Sequence, residues 1–346
     1  MSLKIEEQKD LSQLNSFAVV ARARAFVDIG NLEQLAQATH YAAERQLPLL
    51  VLGGGSNVLF AADYPGLVLH IGNTGMTCLE HIDAGPDQIL VEAQAGQNWH
   101  ELVMWCLKQK CYGIENLALI PGNVGAAPIQ NIGAYGVELQ DCFHCLRAWD
   151  LHQKRLLVMD REACGFGYRD SMFKSTARDR MVILSITLKL HRSPAIKIDY
   201  QGLKEELGSG ERALKATPEQ VAAAVCRIRR RKLPDPLSLP NAGSFFKNPT
   251  VSRDVYAQLA SQFKEIPGFP AAKDDAVKIP AAWLLEQCGF KGKRLGRVGA
   301  HAEQPLVIVN YEGATGQDIL DFSLSMQESV ESRFALRLEP EVRIIC

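Results

Sequence analysis

The chain has 346 residues, of which 47% are hydrophobic and 22% are charged, and its formal net charge is -1. This composition is typical of a globular protein of two or three domains, at about 150 residues per domain, and it excludes a strongly basic nucleic-acid-binding chain. The charged start lacks a signal-peptide core and no run of about eighteen apolar residues follows, so we expect a cytoplasmic protein without membrane insertion.

The first seventy residues are predicted to alternate strands with a helix. Phe26–Ile29 has the composition of a strand, and Asn31 with Gln34 predicts a capping box for a helix over 32–45. Residues 47–52 form a second predicted strand, which runs into GGGSNVL, a loop of bare amides suited to an anion. The Rossmann fingerprint fails here, because Val58 stands where its third glycine is required.

A second glycine-rich stretch, PGNVGAAPIQNIGAYG at 121–136, follows a predicted helix over 99–110. It has no charged residue, its glycines allow close approach of the backbone, and Gln130 and Asn131 offer uncharged amides. These properties favour a flat polar cofactor. No Lys-Ser/Thr pair follows the glycines, which argues against a nucleoside triphosphate, and a long ordered loop without a ligand is the alternative.

The nine cysteines have no spacing typical of a disulfide framework, which indicates reduced thiols. Cys142 and Cys145 form a C-x-x-C pattern, but no second ligand pair completes a zinc site. The surrounding segment is predicted to be a strand, on which the two side chains point to opposite faces. We therefore expect buried thiols and no metal.

A domain boundary is predicted near 191–217, where glycine, proline and polar residues cluster. Thr217-Pro-Glu-Gln220 then supplies a cap, a proline at the first helical position and a capping-box glutamine for a helix through Lys232. The arginines at the end of this helix are interpreted as a solvated face, with a polyphosphate site as the alternative.

Three further segments can carry chemistry. Arg169 lies among aromatic residues where it can hold a carboxylate, with a surface pairing to Asp170 as the alternative. Ser244 follows a glycine and precedes two phenylalanines, and it can donate a proton or simply cap a turn. Glu341 is predicted on a terminal strand beside Arg343, either facing a cleft or on a solvated edge.

Together these motifs resemble a known family. A strand followed by GGGSNVL and then by PGNVGAAPIQNIGAYG is similar to the FAD-binding domain of the vanillyl-alcohol oxidase type, and within it to the UDP-N-acetylenolpyruvoylglucosamine reductase family. The segments around Arg169, Ser244 and Glu341 occur in the order of that family, so the resemblance covers nearly the whole chain. Tyr200 lies in a segment similar to the tyrosine loop of one subclass.

The resemblance implies an α+β fold. Its FAD-binding unit has two parts, over 1–70 and 71–215, and the C-terminal strand 336–346 joins the first part. A smaller α/β substrate-binding domain is expected over 216–335.

The resemblance also implies the reaction. A family member reduces the enolpyruvyl ether of UDP-N-acetylglucosamine-enolpyruvate to UDP-N-acetylmuramate, in peptidoglycan precursor synthesis. Its FAD takes a hydride from NADPH and delivers it from N5 to C3 of the substrate. Ser244 then matches the donor of a proton to C2, and Arg169 and Glu341 match the other two active-site positions.

The resemblance assigns binding residues in the same way. The implied FAD contacts lie in the two glycine loops: Gly53, Gly54, Gly55, Ser56 and Asn57 in the first, and Pro121, Gly122, Gly125, Ala126, Gln130, Asn131, Ile132, Gly133, Ala134 and Gly136 in the second. The implied substrate contacts are Tyr200, Lys232, Asn248, Lys291 and Gln304. Neither loop contains histidine or cysteine, so we expect non-covalent FAD.

Two rival functions share the glycine loops. A FAD-dependent oxidase of the same fold and a catalytically silent nucleotide-binding protein would both have them, but neither explains Ser244, Arg169 and Glu341 together. We therefore expect an NADPH-dependent reductase with a UDP-sugar substrate, no nucleic-acid partner and a monomeric state.

Overall fold

The structure is a computed structural model that describes residues 3–79, 85, 87–208, 210–271 and 275–346. Within these residues the strands are β1 (Glu6–Asp10), β2 (Arg22–Ile29), β3 (Leu49–Leu52), β4 (Val58–Phe60), β5 (Tyr64–Ile71), β6 (Met76–Leu79), β7 (Gln88–Gln94), β8 (Gly133–Ala134), β9 (Val137–Glu138), β10 (Phe143–Asp150), β11 (Arg155–Asp160), β12 (Met181–His191), β13 (Asn241–Ser244), β14 (Thr250–Ser252), β15 (Phe269–Pro270), β16 (Ala276–Lys278), β17 (Arg294–Leu295), β18 (Val298–Ala300), β19 (Val307–Asn310) and β20 (Arg343–Ile345). The helices are α1 (Leu32–Glu44), α2 (Trp99–Lys108), α3 (Arg161–Cys164), α4 (Gln201–Leu207), α5 (Glu211–Leu214), α6 (Pro218–Lys232), α7 (Arg253–Gln262), α8 (Ala281–Gln287) and α9 (Gly316–Phe334). The predicted α+β class is confirmed.

The chain divides into two compact units. Unit 1 takes in the described residues of Met1–Lys9, Ala23–Gly54 and Pro65–Arg231, and unit 2 those of Asp10–Arg22, Gly55–Tyr64 and Lys232–Cys346. The boundaries of these compact units differ from those of the three predicted functional segments, which are 1–70, 71–215 and 216–335. The functional segments stay a prediction.

The first sheet of unit 1 has the order β1-β2-β5-β3, with β3 and β5 parallel. Helix α1 buries Leu35, Ala38 and Ala42, a spacing that places all three on one face. Asn31 begins this helix, since its side chain accepts a hydrogen bond from the Gln34 amide at 2.9 Å. Only half of the predicted capping box forms, because the Gln34 side chain accepts from the Gly30 amide instead.

The second sheet of unit 1 has the order β11-β10-β12-β7-β6 and is antiparallel throughout. Its central strand β12 is buried over most of its length, and a continuous apolar core joins it to α2 and α6. Helix α6 begins as predicted. The Thr217 hydroxyl accepts from the Gln220 amide at 3.3 Å, and the Gln220 side chain accepts from the Thr217 amide at 2.9 Å.

Unit 2 contains a sheet of order β13-β19-β18-β17 and a smaller one of order β14-β16-β15. The buried side chain of Asn310 connects distant segments of this unit, because its Nδ2 donates to the Phe17 carbonyl at 2.8 Å and its Oδ1 accepts from the Ala314 amide at 2.8 Å. Helix α9 begins at Gly316, where an added Cβ would lie 1.7 Å from the Phe60 carbonyl oxygen. Only glycine permits this approach of α9 to β4.

The C-terminal strand is shorter than predicted. β20 pairs in parallel with β4, from Arg343 opposite Val58 to Ile345 opposite Phe60. Glu341 precedes the strand, so the prediction of a terminal strand that carries Glu341 beside Arg343 is wrong. The backbone at Pro340 instead forms an antiparallel bridge with Phe246, in which the Glu341 amide donates to the Phe245 carbonyl at 2.7 Å.

All nine cysteines are described as free thiols. Cys142 is buried as predicted, but Cys145 is half-buried, so the prediction of a buried thiol is wrong there. Among the described residues, no cluster of histidine, cysteine or carboxylate side chains could hold a metal ion. The described helices are all too short or too polar to span a bilayer.

Candidate active site

The two glycine-rich loops touch in unit 1. Gly54 follows β3, and a Cβ added to it would lie 2.8 Å from Oδ1 of Asn123 and 3.2 Å from Cα of Gly122. A Cβ at Gly53 would lie 3.7 Å from Cβ of Asn123, which is ordinary contact. The sequence predicts that something comes close to the backbone of the glycine loops. In the structure, the two loops themselves come close to each other.

A group of backbone amides near this contact lacks protein acceptors and is available to a ligand. Among the described residues, the amides of Gly53, Gly54, Gly122 and Asn123 have no protein acceptor. Adjacent amides of this kind form a concavity that favours an anion, such as the pyrophosphate of a dinucleotide cofactor. The loops thus fit the cofactor that the sequence predicts.

The first loop continues into unit 2. Gly55 has φ of 62°, and an added Cβ would lie 1.9 Å from the Leu14 carbonyl oxygen. The Ser56 carbonyl accepts from the Ser16 hydroxyl at 3.3 Å, and the Asn57 side chain donates to the Glu341 carbonyl at 3.1 Å. Gly55, Ser56 and Asn57 therefore have a structural role within unit 2, in addition to the FAD contacts predicted for them.

Part of the second loop also serves internal packing. Added Cβ atoms would lie 2.6 Å from Cβ of Ala95 at Gly125 and 2.7 Å from Nη1 of Arg169 at Gly133. The buried Asn131 has φ of 44°, and its Nδ2 donates at 3.0 Å both to Glu138 and to the Gly167 carbonyl. Its side chain is thereby used within unit 1, which leaves only its backbone for a cofactor. The remaining predicted contacts lie along the same loop of unit 1: Pro121, Ala126, Gln130, Ile132, Ala134 and Gly136.

Arg169 lies against the second glycine loop. It has φ of 52°, its guanidinium donates to the Gly133 carbonyl, and its Nη1 lies 3.7 Å from Oε1 of Glu138. The Asp170 carboxylate, the alternative partner, accepts from the Ser171 amide at 2.9 Å. The structure thus brings Arg169 together with the predicted cofactor loop.

Ser244 and Glu341 come together in unit 2. Ser244 ends β13 opposite Val307, directly after Gly243, whose φ is 72° and whose added Cβ would meet open space. The next residue, Phe245, accepts the Glu341 amide at 2.7 Å and is fully buried. One backbone hydrogen bond therefore fixes the chain at Glu341 next to the chain at Ser244.

The predicted substrate contacts are distributed over both units. In unit 1 the ring of Tyr200 is half-exposed and meets Tyr135 edge to face, with centroids 5.2 Å apart. In unit 2 Lys232 is exposed at the end of α6, and Asn248 accepts from the Ala281 amide at 2.9 Å. Lys291 pairs with Glu286 at 2.9 Å, and the Gln304 carbonyl accepts from the Val307 amide at 3.0 Å.

Arg229 is a residue that the sequence interpretation missed. Its Nε donates to the Leu119 carbonyl at 3.1 Å, and its charge acts on the nearby Tyr135 hydroxyl. Burial lowers the pKa of Arg229 and raises the pKa of Tyr135, so neither group lies on a solvated face. The helical spacing could have indicated this position, because Arg229 is four residues after the buried Val225 and lies on the same face of α6.

His100 completes this network from α2. Its Nδ1 accepts the Leu119 amide at 3.0 Å, so both polar groups of Leu119 are fixed by side chains. Leu119 has φ of 58°, an uncommon conformation for a leucine, immediately before the second glycine loop. Burial, followed by the positive charge of Arg230, lowers the pKa of His100 and favours the neutral ring that can accept this bond.

Comparison with known proteins identifies the family. A family profile described as the C-terminal domain of UDP-N-acetylenolpyruvoylglucosamine reductase matches residues 235–345, and an FAD binding domain profile matches 23–153. The UDP-N-acetylenolpyruvoylglucosamine reductase of Xanthomonas axonopodis pv. citri is 46% identical over 342 residues, covering 99% of this chain and 96% of that protein. The chain belongs to the UDP-N-acetylenolpyruvoylglucosamine reductase family. The family member of Pseudomonas aeruginosa is 45% identical and covers 99% of each chain.

A solved structure supports the fold. The crystal structure of UDP-N-acetylenolpyruvylglucosamine reductase from Thermus caldophilus matches over 100% of both chains, with a TM-score of 0.66 at 23% identity. The FAD-binding profile contains both glycine loops, and the reductase-family profile contains Ser244 and Glu341. Arg229 falls outside both matched ranges, which is a second reason why motif-based interpretation overlooks it. Membership of the reductase family also decides against the oxidase and silent-binder alternatives.

Proposed function

We propose that this chain carries out the reaction of its family through Ser244, Arg169 and Glu341. The reaction is the NADPH-dependent reduction of the enolpyruvyl ether of UDP-N-acetylglucosamine-enolpyruvate to UDP-N-acetylmuramate, a step in peptidoglycan precursor synthesis. The observation that carries the residue assignment is the adjacency of Ser244 and Glu341, fixed by the bond from the Glu341 amide to the Phe245 carbonyl at 2.7 Å.

FAD, held non-covalently by the two glycine loops, supplies the hydride chemistry when bound. The exposed amides of Gly53, Gly54, Gly122 and Asn123 would hold its pyrophosphate. The loops contain no histidine or cysteine, so they offer none of the side chains that commonly attach a flavin. Acid or denaturant should therefore strip all of the flavin from the protein.

Ser244 gives a proton to C2 of the substrate. The hydroxyl sits on the rigid turn formed by Gly243, so its position is restricted before the substrate arrives. A hydroxyl is a weak acid, but the carbanion that forms at C2 is a strong base. Glu341, whose amide bonds to the Phe245 carbonyl beside Ser244, is the carboxyl group placed to return a proton to the serine oxygen.

Arg169 binds the carboxylate of the enolpyruvyl group. A guanidinium close to this carboxylate stabilises the negative charge that develops when hydride reaches C3. Its bond to the Gly133 carbonyl holds it on the cofactor loop, which links the position of the carboxylate to that of the cofactor. Tyr200, Lys232, Asn248, Lys291 and Gln304 are proposed to contact the rest of the UDP-sugar.

The decisive experiment separates the two half-reactions in Ser244→Ala. Reduction of FAD by NADPH should remain near the wild-type rate, whereas reoxidation by the enolpyruvyl substrate should slow by roughly 10² to 10⁴, as expected for a lost general acid. Stopped-flow flavin absorbance follows both steps. Ser244→Cys is the control that keeps a proton donor, and it should recover part of the rate. Loss of the NADPH step with normal reoxidation would rule out this role for Ser244.

The protein is further proposed to act as a monomer in the cytoplasm. The nine free cysteines suit a reducing compartment. Sedimentation equilibrium across protein concentrations tests the monomeric state, and cell fractionation tests the location.

A further inference from the structure

Two thiols of unit 1 that have no role in the proposed reaction are in direct contact. The Sγ atoms of Cys78, in β6, and Cys111, just after α2, are 3.9 Å apart. Among the described cysteines, this is the one pair of sulfur atoms within hydrogen-bonding distance. Cys78 is half-buried and Cys111 is buried, so a small solute has access to Cys78 first.

The surroundings of the pair keep Cys111 protonated and place a cation beside it. Burial and the neighbouring Cys78 raise the pKa of Cys111 to about 11, so Cys111 retains its proton and can donate it to Cys78. Nη1 of Arg192 lies 3.6 Å from Sγ of Cys111, and the same group donates to the Gln109 carbonyl at 2.8 Å. A cation held beside one sulfur of a thiol pair stabilises an anion on the pair, and a thiolate is the form that reacts with oxidants.

The backbone around Cys78 can adjust to a shorter sulfur-sulfur distance. A disulfide bond is about 2.05 Å long, so the two Sγ atoms must approach by roughly 1.9 Å. β6 is a four-residue strand at the edge of its sheet, with β7 as its one strand neighbour. An edge strand of this kind moves at lower cost than a central strand, because it breaks fewer contacts.

We propose that Cys78 and Cys111 are an oxidation site, at which hydrogen peroxide is the oxidant and the two sulfur atoms become joined in an intramolecular disulfide. The Cys78 thiolate attacks a peroxide oxygen, the O–O bond breaks, and Cys78 becomes a sulfenic acid while the released hydroxide takes up a proton as water. The Cys111 sulfur then attacks Sγ of Cys78, the S–O bond breaks, and the second hydroxide leaves as water with the Cys111 proton. The two thiols lose two electrons and the peroxide gains them.

The test uses the full chain with the exposed Cys346 replaced by serine, which prevents cross-linking between molecules. The protein is treated with hydrogen peroxide, free thiols are alkylated under denaturing conditions, and peptides are analysed by mass spectrometry. We expect a Cys78–Cys111 linked peptide that has lost two hydrogens and that dithiothreitol reverses. The added Cys78→Ser change should abolish this link completely. The added Cys111→Ser change should leave a Cys78 sulfenic acid that dimedone traps.

Cys145 provides the matched control. It is half-buried like Cys78, but among the described residues it has no thiol within hydrogen-bonding distance. Cys145→Ser should therefore leave the Cys78–Cys111 link and its rate of formation unchanged. Peroxide oxidation of Cys145 before Cys78, or conversion of Cys78 to sulfinic acid without any link to Cys111, would overturn the proposal.

Discussion

Arg229 supports the second glycine loop near both of its ends, because it donates to the Leu119 carbonyl just before the loop and its charge acts on the Tyr135 hydroxyl within it. Arg229→Lys keeps the charge but loses the planar fork that reaches both partners. We expect FAD affinity to fall by roughly tenfold or more, since one hydrogen bond to a charged group contributes about 1.5 to 3 kcal/mol. Titration of the apoprotein with FAD measures the change. Arg227→Lys is the control, because Arg227 is exposed and pairs with Glu206; an equal loss in both variants would contradict this role.

His100 predicts a pH dependence of the same loop. Its Nδ1 must be unprotonated to accept the Leu119 amide, and its pKa is lowered from 6.5 chiefly by burial. The charged groups that face it are Glu101, which raises the pKa, and Arg229 and Arg230, which lower it. The folded state therefore favours the neutral ring, and its contribution to stability is present above the ordinary pKa and lost as pH falls below it.

The pH prediction can be tested with His100→Asn, because an asparagine oxygen can take the place of Nδ1 without titrating. Thermal melts between pH 7.5 and 5 should show that the wild-type melting temperature falls relative to that of the variant as pH decreases. Parallel pH profiles for the two proteins would show that His100 does not titrate in this range.

Contact between the two glycine loops predicts that alanine substitution of two adjacent glycines will have unequal effects on stability. Gly54→Ala places a Cβ 3.2 Å from the backbone of Gly122, which cannot move aside as a side chain can, and should destabilise the apoprotein by about 1 to 3 kcal/mol. Gly53→Ala makes only ordinary contacts and is the matched control. Urea unfolding of both apoproteins measures the difference. A Gly54→Ala protein as stable as Gly53→Ala would show that the loops are not packed at this point.

Local elements were predictable from the sequence because their signals are local. The cap of α6 and the strand that leads into the first glycine loop follow from spacing within a few residues. Glu341 was misplaced because a distant carbonyl, that of Phe245, takes its amide before β20 begins. Arg229 was missed because its partners, Leu119 and Tyr135, lie about a hundred residues away in the sequence.

The discontinuity of unit 2 predicts how the whole molecule responds to truncation. A chain that ends at Arg231 keeps residues 10–22 and 55–64 but removes their partners, including Phe245, whose ring centroid is 6.2 Å from that of Phe17. We expect this truncated chain to bind hydrophobic dyes such as ANS and to lose turnover completely. Co-production with residues 232–346 should reduce dye binding and restore turnover in part. A truncated chain that binds no dye and unfolds cooperatively would contradict this dependence.

Because unit 2 is divided among three segments, its parts are synthesised on the ribosome at different times. Leu11, Phe17, Leu59 and Phe60 are buried in the complete chain, yet they are translated long before Lys232 and the residues that follow it. At about 5 to 20 residues per second, the interval between Tyr64 and Lys232 is on the order of ten seconds or more. During that time these apolar side chains belong to a nascent chain whose later partners do not yet exist. Chaperones that shield apolar segments of a nascent chain as it leaves the ribosome would therefore act mainly on the first sixty residues of this protein.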